Sequence, residues 1–146
     1  MQLILELAAA TGLVAVTSAV HLLGIGVLMV LLRRRHHPDR ADLLRQATAI
    51  GLAAGGLFLL HAAEIWLYAS FYVAVEALPT LEVALYFSTS SYTTVGYGDV
   101  VLSPSWRVMG AIESANGIIL LGWSTAFFVA IVSRIRWLEA EMQAAR

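Results

Sequence analysis

Thr94-Val95-Gly96-Tyr97-Gly98-Asp99 sets two glycines one residue apart, beside a β-branched and an aromatic side chain. Glycine takes positive φ at little cost. A strand that carries it at alternate positions can turn its carbonyl oxygens toward a single axis. Stacked carbonyls offer a cation that has shed its water several similar, weak sites. Side-chain carboxylates would hold the same ion too firmly for rapid exit. Thr94 adds a hydroxyl at the inner end, and Val95 and Tyr97 are expected to point away and pack the segment against its surroundings.

Other polar positions stand inside apolar runs. His61 and Glu64 fall three residues apart, as do Glu113 and Asn116, so each pair shares one side of its helix. Ionisable residues at such places are costly and therefore candidate functional groups. For His61, Glu64 and Glu113 two readings stay open: proton-sensing groups that gate, or packing contacts between helices. His21 is placed to reach either pair. The absence of Cys excludes disulfides, thiolate metal sites and thiol catalysis.

The elements that must position these residues are long apolar blocks. About 20 apolar residues cross the hydrocarbon of a bilayer, and residues 12–32, 47–72 and 108–132 each suffice. Residues 1–10 read as an interfacial or tilted lead-in. They lack the basic start and the clean cleavage site of a signal peptide, so the first block is expected to be a retained membrane helix. Between the last two spans, Thr80 is a plausible N-cap and Glu82 complements the helix dipole in the first turn. A helix over 80–92 rises roughly 18 Å, about half a bilayer. Half-span helix, glycine-bearing loop and long helix together read as a re-entrant loop, because non-helical backbone at that depth must be buried in protein or line a watery cavity.

Composition agrees: 60% of the 146 residues are hydrophobic and 13% charged, far from the usual soluble balance. All nine basic residues are Arg. Arg33, Arg34, Arg35, Arg40 and Arg45 lie between spans one and two, and Arg134, Arg136 and Arg146 follow span three. Both clusters fall on one side when the loop re-enters, which the positive-inside rule makes cytoplasmic. The N-terminus is then outside and the C-terminus cytoplasmic, in a multi-pass cell-membrane protein. The run Arg33-Arg34-Arg35-His36-His37 marks orientation, and it could also contact anionic lipid or respond to pH. Trp137 is expected at the interface.

The hexapeptide matches the signature of the tetrameric pore-loop potassium channels. From about residue 81 to 132, the order of pore helix, filter, acidic residue, outer Arg and glycine-bearing inner helix is similar to that of small bacterial members, with an additional N-terminal membrane helix. The resemblance implies an all-α subunit that pairs residues 1–42 with a pore domain over 43–146. Within the pore domain it implies an outer helix 43–73, a pore helix 80–92, a filter 93–99 and an inner helix 105–137. It places K+ at Thr94, Val95, Gly96 and Tyr97, with Gly98 completing the filter, and it implies a homotetramer, since one chain carries one filter strand.

By the same alignment Tyr86 is the aromatic that bonds Asp99, and Thr93 and Ser90 stand behind the filter. The familiar carboxylate falls at Ser90 here, so Ser90 and Tyr86 are expected to take over the support. Gly117 aligns with a hinge glycine, and close helix packing is the other reading of it. Leu121, Thr125 and Val129 follow on one face as candidate inner-pore lining, although Thr125 could instead bond its own helix. No span carries regularly spaced arginines and no cofactor or nucleic-acid motif appears. The expectation is a passive potassium channel, not an enzyme, with potassium as permeant ligand and a regulatory partner left open. Its rivals are a non-conducting regulatory subunit and a weakly selective cation channel.

Overall fold

The computed structural model describes residues 1–34 and 43–144, with side chains over 1–32, 44 and 46–133. The described residues form helices α1 (Gln2–Arg34), α2 (Leu43–Ala74), α3 (Leu81–Tyr92) and α4 (Arg107–Ala144), with no strand among them. Three of these helices are long and apolar enough to cross a membrane, over Gln2–Leu32, Gln46–Ala74 and Arg107–Ser133. The fold is an all-α membrane architecture.

Several boundaries differ from the sequence reading. The lead-in is continuous with the first span: residues 2–10 are the first turns of α1, and Glu6 is buried there. The last helix begins at Arg107, after a turn over 104–106, and not at residue 105; it continues to Ala144. Thr80 is a cap, and its Oγ1 accepts the Val83 N–H at 3.3 Å. Thr93 closes the same helix as its C-cap, with its N–H and hydroxyl both bonded to the Thr89 carbonyl.

Paired contacts fix the packing. His21 meets Glu64, and Gly24 and Gly56 lie against Leu60 and Leu28, so α1 and α2 are antiparallel. Glu6 meets Met109 and Thr17 meets Asn116, so α1 and α4 are parallel. Tyr72 with Glu113 and Tyr68 with Asn116 make α2 and α4 antiparallel. The short α3 packs on α2 and α4. The C-terminal ends of α1 and α4 therefore lie at the same end as the start of α2.

Burial is inverted relative to a water-soluble bundle. Leu22, Leu23, Phe58, Leu59, Ile118 and Ile119 are exposed, whereas Glu6, Thr17, His21, Glu64, Ser88, Glu113, Asn116 and Ser124 are buried. Apolar side chains lose nothing by facing lipid, while polar groups in hydrocarbon must find partners within the protein. Among the described residues every buried side-chain nitrogen and oxygen has one. Where α2 stops and α4 begins, Phe71, Tyr72, Phe87 and Trp106 pack edge to face, which seats α3 against its neighbours.

Candidate functional site

The chain leaves α3 through Thr93 and enters a segment with alternating handedness. Thr94, Gly96 and Gly98 have φ of 61°, 58° and 78°, and the residues between them do not have positive φ. A φ that alternates in sign along a segment can point successive peptide groups the same way, which is what a one-sided row of carbonyls requires. The glycines reach it without strain. Thr94 is β-branched, and its left-handed conformation costs about 1–3 kcal/mol. Strain of this size persists only where neighbouring bonds hold it.

Ser90 supplies two of those bonds. Its carbonyl accepts the Gly96 N–H at 3.1 Å and its Oγ accepts the Tyr97 N–H at 3.2 Å. The Thr94 N–H bonds the Ser91 carbonyl at 2.9 Å. At the mouth, the Tyr86 hydroxyl donates to Asp99 Oδ2 at 2.8 Å, and the Tyr86 and Tyr97 rings stack with centroids 6.3 Å apart. The bond to Asp99 pushes the Tyr86 phenol above its ordinary pKa. Val95 and Tyr97 nonetheless stay 55% and 72% exposed in the single chain. Their expected packing surroundings are not within it.

Behind this segment runs a column of polar contacts that joins all four helices. Glu113 accepts from Tyr72 at 2.7 Å and from Ser88 of α3. One helical turn inward, Asn116 Nδ2 donates to Thr17 Oγ1 at 2.8 Å and Tyr68 OH at 3.1 Å. Glu113 and Asn116 share a helix face but bond different partners. Deeper still, Glu64 gathers His21 Nδ1 at 2.9 Å, His61 Nδ1 at 3.1 Å and the Tyr92 hydroxyl. His61 Nε2 reaches Ser124 Oγ at 2.8 Å.

At the start of α4, Glu6 Oε1 accepts the Met109 N–H at 2.9 Å. That amide is one of the unpaired donors in the first turn of α4, where a carboxylate also favours the helix dipole. Trp106 has no side-chain acceptor to act as a cap, so α1 provides one. Sequence reasoning missed Glu6, Ser88 and Ser124. A carboxylate or hydroxyl in an apolar block was their only signal.

The remaining candidates divide. Gly117 sits in an unbroken α4, where an added Cβ would overlap the Tyr92 carbonyl. Close packing on α3 therefore accounts for this glycine. Leu121 packs against the core cluster, Val129 is exposed, and Thr125 bonds back to the Leu121 carbonyl at 2.9 Å. The expected contacts of Arg33, Arg34, Arg35, His36 and His37 fall outside the described side chains, as does Trp137.

A family model described as "Ion channel" matches residues 56–134. No curated protein and no solved structure matches the chain. The matched residues contain most of α2, all of α3, the Thr94–Asp99 segment and α4 as far as residue 134, more than half of the sequence. The chain belongs to the ion channel family.

Proposed function

We propose that this chain is the subunit of a potassium-selective channel in which four copies of Thr94-Val95-Gly96-Tyr97-Gly98 surround one axis. The observation that carries the reading is the alternation of positive φ at Thr94, Gly96 and Gly98, with the Gly96 and Tyr97 amides tied to Ser90. Those bonds commit the amides to the protein and leave the carbonyls for the ion. Carbonyl oxygens at several successive levels replace a water shell without binding so strongly that the ion stays. Potassium is a substrate that passes, and no resident cofactor is needed.

Homotetrameric assembly follows from the same segment. One strand gives one-quarter of each carbonyl ring, and the exposed Val95 and Tyr97 need a neighbouring copy to pack against. Residues 43–146 form the pore domain in this reading, with α4 as inner helix and Leu121, Thr125 and Val129 nearest the inner passage. The mouth with Asp99 and Arg107 faces outward in this reading, because the other arginines fall in sequence between spans one and two or after span three. In sequence, the run Arg33, Arg34, Arg35, His36 and His37 follows span one, and its charge suits anionic lipid headgroups.

Purified full-length protein in liposomes, loaded with potassium or sodium, tests the reading through ion-dependent flux. Potassium flux well above sodium flux is expected. Equal fluxes would establish a weakly selective cation channel, and absence of flux at every pH would favour a non-conducting regulatory subunit.

A further inference from the structure

The deepest part of the polar column contains a group of donors that conduction does not use. His21, His61 and Glu64 each offer one ligand atom, and these atoms all lie within 4.8 Å of one another. His21 and Glu64 are fully buried, and the His61 side chain is 12% exposed. The Tyr92 hydroxyl joins them, 3.0 Å from His61 Nδ1 and bonded to Glu64. Four donor side chains from three helices thus converge on one point.

Two features ask for a cation there. Glu64 is a buried carboxylate inside a spanning helix, and among the described residues its ion-pair partners are these two imidazoles alone. Ser124 supplies the second. Its Oγ lies 2.8 Å from His61 Nε2 and 3.5 Å from His21 Nε2. A serine hydroxyl has one proton but two lone pairs, so it can accept from both imidazoles and donate to only one. When both Nε2–H groups donate to Ser124, both Nδ1 lone pairs face the Glu64 carboxylate. Lone pairs and a carboxylate at 2.9 and 3.1 Å repel unless a cation lies between them.

We propose that His21, His61 and Glu64, with Tyr92 as a fourth oxygen donor, bind a divalent transition-metal ion of the zinc class. Two imidazole nitrogens and a carboxylate suit zinc and its neighbours, whereas calcium and magnesium favour all-oxygen sets. Ligand atoms around a tetrahedral zinc stand about 3.3 Å apart, given bonds of about 2.0–2.1 Å. The separations of 2.9 Å from His21 Nδ1 to Glu64 Oε1 and 3.1 Å from His61 Nδ1 to Glu64 Oε2 need to open by only tenths of an ångström, and the ligand set, now within 4.8 Å, draws together on the ion. Ser124 then acts as an outer partner that orients both rings through their remaining N–H groups. The ion clamps α1 to α2 and, through Tyr92, to the end of α3, two residues before Thr94. The N-terminal helix thereby gains a role in holding the conduction segment.

The test is metal content of the purified full-length protein after exposure to zinc chloride and desalting, together with the visible spectrum of the cobalt-loaded form. Binding is read without ion flux, so its failure and a failure of conduction are separate results. About one zinc per chain is expected, with the intense visible bands of tetrahedral cobalt and a raised thermal transition. His21→Gln, His61→Gln and Glu64→Gln should each abolish all three signals. Ser124→Ala keeps every ligand and should weaken binding about tenfold or more; it decides the matter should a ligand variant fail to assemble. His36→Gln/His37→Gln removes the other imidazoles of the chain and should change nothing. Zinc lost with that double variant, or no zinc retained by the wild type, would overturn the site and leave a proton shared among the imidazoles as its occupant.

Discussion

The polar column behind α3 and the Thr94–Asp99 segment in front of it solve opposite problems with the same kinds of group. In the column, every buried side-chain nitrogen and oxygen among the described residues has a hydrogen-bond partner inside one chain. In the segment, polar backbone is bonded on one side only, and Val95 and Tyr97 are left uncovered. One region is finished within the chain; the other leaves Val95 and Tyr97 exposed at its surface. The difference locates rigidity and function. The column fixes where α3 ends, and that endpoint decides where the strained Thr94 begins.

Removing the carboxylate that ties α3 to α2 and α4 should separate the two regions most severely. Glu113→Ala leaves the buried hydroxyls of Ser88 and Tyr72 without their acceptor. Each buried unmade hydrogen bond costs about 1–3 kcal/mol, so a loss of about 3 kcal/mol is expected. Thermal unfolding in detergent, followed by tryptophan fluorescence and by the assembled fraction on gel filtration, measures it. A melt identical to wild type would show that the column does not hold α3.

Gly117→Ala acts at the seam between the regions. The new methyl overlaps the Tyr92 carbonyl, so α3 or α4 must shift. Overpacking of this kind costs about 1–3 kcal/mol. Because Tyr92 lies next to Thr93 and Thr94, a drop in the potassium-to-sodium flux ratio should accompany the lower melting temperature. A hinge role predicts otherwise, namely altered opening with selectivity unchanged.

How far these regions were legible in the sequence follows the range of their contacts. The conduction segment and α3 are local: a glycine pattern, a Thr80 cap and an acidic first turn suffice to place them. The Tyr86–Asp99 bond spans thirteen residues and came from alignment with a known pattern. The column is long-range, since Glu6 meets Met109 across 103 residues and Thr17 meets Asn116 across 99. A helix apolar on every side carries no periodic face to reveal its rotation, so nothing local aims His21 at Glu64. The positive φ of Thr94 was hidden for another reason. A β-branched residue is a poor candidate for that conformation, and only the ties behind it show why it is held there.

Ser90→Ala distinguishes the two regions from the front. It deletes the bond to the Tyr97 amide and keeps the Ser90 carbonyl that receives Gly96. A single neutral hydrogen bond contributes about 1 kcal/mol, too little to disturb the column. The expected result is a melt close to wild type with weakened potassium selectivity. Equal loss of both would mean that the segment and the column are one cooperative unit.

Tyr86→Phe should have the smallest effect, because Tyr86 is exposed and its stacking on Tyr97 survives the change. The lost contact is the donor to Asp99, so the outer mouth loosens while stability is hardly altered. The pH dependence is the sharper readout. A neutral phenol donates and a phenolate cannot, and the bond to Asp99 raises the Tyr86 pKa above its usual value near 10. The contribution of the bond is therefore fully present at neutral pH and disappears only as pH rises through that raised value. Wild type and Tyr86→Phe should differ in sustained flux by a constant amount from pH 6 to pH 9 and converge in stronger base. A difference that varies within that neutral range would assign the titration to another group and remove Tyr86 from the support of the segment.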